Sequence, residues 1–453
     1  PTATPKPTAT PTATPKPTAT PTATPKPTAT PTATPTIAPT PTPVPVELLW
    51  WHNDNRPAWI EGCKFVIDEY QKRHPNVTIK KEIVGWKNEP KILAAIKTGV
   101  GPDIAMGYSG GAVTFSATGG LLPVTDIIKE HGEEDFMPSD RRTNFYKGEY
   151  WGVPAEDTIH VLFYRKDMFD EKGLKPPKTW DELLEVSKAL TEDTDGDGKL
   201  DRWGIAWALG GVDGPEVIWA FMRTNDASIF DEDLNIVFNS EETKEAFEFL
   251  KDLHPYVWPG YVTMSETDVR LQIIAGKAAM GITSTSFIYD CIRSGKEDIL
   301  EKFGAIPIPI KKHYGTFHCQ THYFILKASK HPEIAKDFLK FLVSTDILAS
   351  YIAICPTGFI PATYSAQKSP LWRDAPLVKK YWHLIEAGVK QAPYMSIPGV
   401  AYKMNPYAGA IQARLILAKT FSKIVVDGES VSDALKWGEN EIRKVVEEVG
   451  PAE

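Results

Sequence analysis

The chain has 453 residues, more than one hydrophobic core absorbs, because cores stop growing near about 250 to 300 residues and longer chains divide into domains. Its net charge of -8 offers no basic surface for nucleic acid, and with no run of about 18 apolar residues it carries no membrane-spanning helix. Cys63, Cys291, Cys319 and Cys355 form no C-x-x-C pair, which excludes zinc-finger and thioredoxin-like sites and leaves any disulfide connectivity open.

Residues 1–46 stand apart. They hold 15 of the 38 prolines, mostly in Pro-Thr-Ala-Thr-Pro-Lys repeats, and no Gly, aromatic or acidic residue. Such a segment buries too little apolar surface to fold, and its prolines favour an extended polyproline helix. A disordered linker reaching on the order of 140 Å is therefore expected. It suits a spacer holding a secreted protein at a cell surface, as a lipoprotein or through a cell wall, or a tether to a further module. No signal sequence or lipid-accepting Cys is among these residues, so export is inferred from the linker alone.

At Val46 the pattern changes to a short apolar strand ending in His52-Asn53-Asp54-Asn55. Trp59, Cys63, Val66 and Tyr70 then recur at helical spacing up to His74-Pro75, and Val77-Thr78-Ile79 opens a second strand. Ile92 to Ile96 reads as helix, and Asp103–Met106 as a buried strand ending at Gly107-Tyr108-Ser109. Thr179 with Glu182 forms a capping box, Ser240 opens a helix to Leu253, and Pro332 opens another through Val343. Gly315–Leu326, rich in aromatic and β-branched residues, reads as a strand. Strands alternating with helices predict α/β architecture with mainly parallel sheets, whose ligands sit beyond the carboxyl ends of the strands.

The sharpest chemical motif is Asp193-Thr194-Asp195-Gly196-Asp197-Gly198-Lys199-Leu200-Asp201. It places oxygen ligands at positions 1, 3, 5 and 9 of a calcium loop, a Gly at position 6 and the Lys199 carbonyl at position 7. Position 12 is Gly204 rather than Glu, so a structural Ca²⁺ would need waters or a remote carboxylate; the alternative is an acidic surface turn. His318, Cys319 and His322 do not suggest a transition metal, because i to i+4 along a strand separates ligands by about 13 Å. Adjacent acids such as Glu156-Asp157 do not show the separation glycosidases need, and no nucleophile or phosphate-loop motif occurs. No enzyme and no catalytic cofactor are expected.

Several segments together resemble the extracellular solute-binding proteins of sugar ABC importers, the maltose-binding-protein-like group. They are Gly101-Pro102-Asp103-Ile104, Lys147 to Pro154 with Phe163 to Phe169, Pro176 to Leu183, Gly276 to Met280, Ala305 to Pro309, Ala335 to Leu342 and Gly358 to Ala362. The resemblance runs through nearly everything from Val46 onward. It implies a periplasmic-binding-protein-like fold, two α/β lobes with a ligand cleft and hinge. One lobe is expected at 46–157 plus 321–380, the other at 158–320 plus 381–453, with the hinge near Asp157, Thr321 and Tyr381.

The resemblance further implies a monomer that binds an oligosaccharide without turning it over and delivers it to a membrane permease. Carried over by position, ligand contacts are expected from Trp51, His52, Asn53, Asp54, Tyr108, Ser109, Asp157, Thr158, Trp207, Trp219, Ser286, Phe287, Phe359, Tyr402 and Tyr407. Thirteen Trp, 16 Tyr and 19 Phe supply flat faces for sugar rings as well as for cores. The alternative is a surface carbohydrate-binding or anchoring module of a secreted enzyme system, which the long linker would also serve.

Overall fold

The computed structural model describes residues 11–17, 44–108, 110–210 and 214–452. Pro1–Pro43 and Val44–Glu453 are separate units. Residues 11–17 are exposed and have no regular secondary structure. The rest of the expected linker up to Pro43 lies outside the described residues.

Among the described residues eleven strands form: β1 (Val46–His52), β2 (Val77–Ile83), β3 (Ile104–Tyr108), β4 (Phe145–Tyr146), β5 (Glu149–Tyr150), β6 (Val153–Arg165), β7 (Trp203–Ala206), β8 (Ala278–Ser284), β9 (Phe303–Ile306), β10 (His318–Ile325) and β11 (Ile360–Pro361). Nine of them make one sheet in the order β2-β1-β3-β10-β6-β8-β7, with β9 and β11 also on β6; β4 and β5 pair separately. The expectation of mainly parallel pairing is corrected here. β1 is parallel to β2 and β3, and β7 to β8, whereas β10 and β6 run antiparallel to all their neighbours. These two strands return the chain across the sheet, which a pure β-α-β winding does not require.

β6 changes partners along its length. Val153 to Ile159 pair with β10, and Glu156 and Asp157 also with β11; from His160 onward the partner is β8, joined by β9 from Leu162. A shift of register interrupts the β10 pairing between Thr321 and His322. Because helices cover both faces, β6 is buried at all but one of its 13 positions. It nevertheless carries Glu156, Asp157, Thr158 and His160, polar groups that must find partners inside.

The helices follow their sequence signals. Pro57–Arg73 starts on proline and buries Trp59, Cys63, Val66 and Tyr70 at helical spacing. Trp180–Ala189 begins with the predicted capping box, Thr179 accepting from the Glu182 amide at 3.3 Å and the Glu182 side chain returning to the Thr179 amide. Ser240 caps Glu241–Leu253, and Pro332–Val343 lies where expected. One apolar core, including Trp50, Trp59, Phe163, Trp207, Trp219 and Phe287, runs through both halves of the sheet; a smaller cluster around Phe115 and Phe324 lies beside it. Cys63, Cys291 and Cys355 are buried free thiols.

Candidate functional site

Since β1 lies parallel between β2 and β3, the carboxyl ends of the three strands share one edge. In α/β sheets that edge, at a switch in strand order, is where ligands bind. Two loops meet β3 there. Asn88 donates to Asn53 Oδ1 at 2.5 Å and to the Met106 carbonyl at 2.7 Å, tying the loop after β2 to the loop after β1 and to strand β3. Asp54, fully buried, accepts from the Arg56 amide and from Arg56 Nε, both at 2.8 Å, and ion-pairs with its guanidinium.

Thus held, the Arg56 guanidinium lies among three rings, 5.6 Å from the centroid of Trp86, 5.4 Å from Tyr289 and 5.5 Å from Phe359. Trp86 stacks on Tyr108 with centroids 5.4 Å apart and planes at 16°, and stays 44 % exposed. Phe359 stands edge-on to Trp59 at 5.1 Å. Trp86, Tyr108 and Phe359 belong with the first half of β6, while Tyr289 sits on the helix Phe287–Arg293 after β8. Aromatic faces from both sides of the partner change therefore converge around one cation.

The expected contact residues separate into groups. Asp54, Tyr108 and Phe359 are brought together here, with Asn53 fixing the loops behind them. Ser109 lies outside the described residues. His52 is fully buried between Trp50 and Trp59, and burial followed by the charge of Lys81 lowers its pKa to about 3, so it stays neutral. Trp51 points to the other face of β1, packs on the smaller cluster and donates to Glu82 at 3.2 Å. Asp157 and Thr158 are buried on β6 beside the partner change.

Ser286 accepts from Arg270 at 3.1 Å just before Tyr289, whereas Phe287 is sealed between Phe163 and Phe303. Trp207 and Trp219 lie in the core, Trp207 against Phe221 and Tyr261, Trp219 donating to Ser396 at 3.0 Å. Tyr407 is buried against Phe230 and donates to the Gly450 carbonyl at 3.0 Å. Tyr402 is 42 % exposed, its ring 5.6 Å from the Arg223 guanidinium.

Sequence reasoning missed Arg56, Trp86 and Tyr289. Trp86 carried a legible signal, an aromatic in a polar loop just past β2 and after Gly85, whose φ of 82° turns the chain. Arg56 and Tyr289 had none, for they meet only in three dimensions.

In the aspartate-rich loop, carboxylate oxygens of Asp193, Asp195 and Asp197 lie within 4.8 Å of one another. Asp193 accepts from the Gly196 and Gly198 amides, each at 2.7 Å, and those bonds hold its carboxyl below the usual range. Lys199 donates its amide to Asp197 at 2.8 Å. Asp201 turns back to the Thr194 amide and hydroxyl, at 3.0 and 2.6 Å, outside the trio.

Glu156 and Asp157 point to opposite faces of β6, as neighbours on a strand must. Asp157 shares a hydrogen bond with Asp140, which also accepts from Gln320 at 2.6 Å.

Comparison with known proteins now adds to this geometry. Residues 61–348 match the family model described as bacterial extracellular solute-binding protein. YcjN of Escherichia coli K12, a periplasmic-binding protein by name, is 22 % identical over 392 residues, covering 84 % of this chain and 89 % of that one. The sugar-binding protein MalE from Xanthomonas citri superposes with a TM-score of 0.74 at 20 % identity, over 89 % of this chain and 98 % of that one. A Thermotoga lettingae ABC transporter solute-binding protein bound with alpha-D-tagatose gives a TM-score of 0.70 at 22 % identity, over 88 % and 99 %. The sheet crossed by β6 and β10 is thus the periplasmic-binding-protein fold. With more than half its length matched, the chain belongs to the bacterial extracellular solute-binding protein family.

Proposed function

We propose that this protein is the receptor of a carbohydrate ABC importer, closing two lobes on an oligosaccharide and presenting it to a membrane permease. The observation that carries this reading is the convergence of Trp86, Tyr108 and Phe359 with Tyr289 across the partner change of β6. Aromatic faces cover the C–H faces of sugar rings, and the Asp54 and Arg56 groups beside them suit hydroxyls. Relatives named for maltotetraose and alpha-D-tagatose support a sugar as ligand.

The lobes are read as 46–157 plus 321–380 and 158–320 plus 381–453, hinged near Asp157, Thr321 and Tyr381. The Pro/Thr segment is read as the tether that holds a monomeric receptor at the cell surface. Tryptophan fluorescence titrated with linear oligosaccharides tests the reading: micromolar or tighter binding is expected, and Trp86→Ala should weaken it by about tenfold or more. Wild-type affinity in that variant would remove Trp86 from the site, and failure of every saccharide would remove the receptor.

The Asp193, Asp195, Asp197 loop, with the Lys199 carbonyl and Asp201, is read as a structural Ca²⁺ site. Calcium is then expected to raise the melting temperature and a chelator to lower it, since a ligand of the native state stabilises by mass action. A melting temperature indifferent to both would reduce the loop to an acidic turn.

A further inference from the structure

A recess of about 110 Å³ that shares no lining residue with the Arg56 cluster is lined by Arg142, Arg223, His313, Tyr314, Tyr394 and Ser396, among others. Arg142 comes from the helix Pro138–Asn144, against the first half of β6, and Arg223 from the helix Gly214–Thr224. Each guanidinium has few protein partners. Arg142 donates Nη2 to the Met395 carbonyl at 2.8 Å, and its buried Nε has no hydrogen-bond partner. Arg223 donates to the Ala227 carbonyl at 2.8 Å and lies near the Trp219 and Tyr402 rings.

Among the described residues no carboxylate pairs with either arginine. The nearest acid to act on Arg142, Asp140, is turned to Gln320 and shares its hydrogen bond with Asp157. His313 is itself engaged, by Asp226 and by the Tyr314 carbonyl. Burial, then the charge of Arg223, lowers the Arg142 pKa to about 10, which still leaves the Arg142 side chain cationic at neutral pH.

Two half-buried guanidiniums without a carboxylate partner thus face one recess, and their planar forks suit a carboxylate or phosphate. The mouth adds a second chemistry. Tyr314 and Tyr394, 38 % and 49 % exposed, stand with ring centroids 5.5 Å apart and offer open faces beside the two cations.

We propose that this recess is an anion-binding subsite of the cleft, and that the captured saccharide carries a carboxylate, as a uronic acid does. The inference rests on the sugar-receptor reading above and narrows its substrate class. It is tested with an α-1,4-linked trigalacturonate and the galactotriose of the same linkage, which differ only in carboxylate against hydroxymethyl at C6.

Calorimetry on the full chain is expected to show the acidic trisaccharide binding at least about tenfold tighter, with Arg223→Gln and Arg142→Gln each erasing that preference. Arg223→Gln is read on its own should the more buried Arg142→Gln fail to fold. Equal affinity for the two trisaccharides, or a preference untouched in Arg223→Gln, overturns the proposal.

If neither trisaccharide binds, the sugar reading has failed, and melting curves with galacturonate and with inorganic phosphate judge the subsite by itself. Stabilisation of the wild type by galacturonate, lost in Arg223→Gln, supports it. Stabilisation by phosphate alone, or by neither, overturns the carboxylate assignment.

Discussion

Replacing Arg270 by Met is expected to cost about 3 to 5 kcal/mol of stability, the range for stranding buried charges by removal of one partner. Its guanidinium is almost wholly inside, ion-paired to Glu266 at 2.7 Å and to Asp290. It also donates to Thr283 Oγ1 and Ser284 Oγ, both at 2.9 Å, and to Ser286 Oγ at 3.1 Å. Burial pushes the Glu266 carboxyl up, but Arg270 and then His160, 3.1 Å away, outweigh it and hold the group well below the usual range. Without Arg270, Glu266 keeps only part of that compensation.

The same network fixes the turn from β8 into the helix Phe287–Arg293 and so places Tyr289 against Arg56. Weaker ligand binding should therefore accompany the lost stability. Urea unfolding of Arg270→Met and of Arg270→Met with Glu266→Gln separates the causes. The double variant should recover part of the loss, because the stranded charge is gone. A single-variant loss below about 1 kcal/mol would show that the network is dispensable.

Local signals made much of this fold legible. The capping box at Thr179 and Glu182, the proline starts at Pro57 and Pro332 and the apolar spacing from Trp59 to Tyr70 are short-range features, and each became the element it predicts. The direction of β6 and β10 is not short-range. A strand's partner is set by the whole sheet, so alternation of strands and helices suggested parallel pairing where antiparallel crossing occurs.

The site divides in the same way. Tyr108 ends a strand and Phe359 follows a turn, both legible in the sequence; the first stacks on Trp86 and the second lies by Arg56. Trp207, Trp219 and Phe287 looked alike in sequence because an aromatic that walls a cleft and one that fills a core have the same side chain. Arg56 and Tyr289, 233 residues apart, share a site only through the fold.

A melting temperature that rises as pH is lowered from 8 to 5 is the second large effect expected, and it originates at the partner change of β6. Burial, then the charge of Asp157, raises the Asp140 pKa to about 8; burial likewise carries Glu156 and Asp157 well above the usual carboxylate range. An acid whose pKa is higher folded than unfolded stabilises the fold fully below its unfolded value near 4, and that stability is lost as pH climbs through the folded value. Each such carboxyl contributes a slope on the order of 1.4 kcal/mol per pH unit between those limits.

His52 opposes this only on the acid side. Held neutral with a pKa of about 3, it costs stability as pH falls below about 6.5, where the unfolded chain takes up its proton. Burial also lowers the pKa of His254 and His383, which oppose the carboxyls in the same sense, but above about pH 6.5 these imidazoles are neutral folded and unfolded, and the three carboxyls make stability fall toward pH 8. Asp140→Asn cannot ionise and keeps an acceptor for Gln320, which donates to Asp140 at 2.6 Å. It should therefore flatten the profile between pH 5 and 8 and exceed the wild type in stability at pH 8. A wild-type melting temperature constant over that range, or an unaltered slope in Asp140→Asn, would mean that the buried acids exchange no proton on folding.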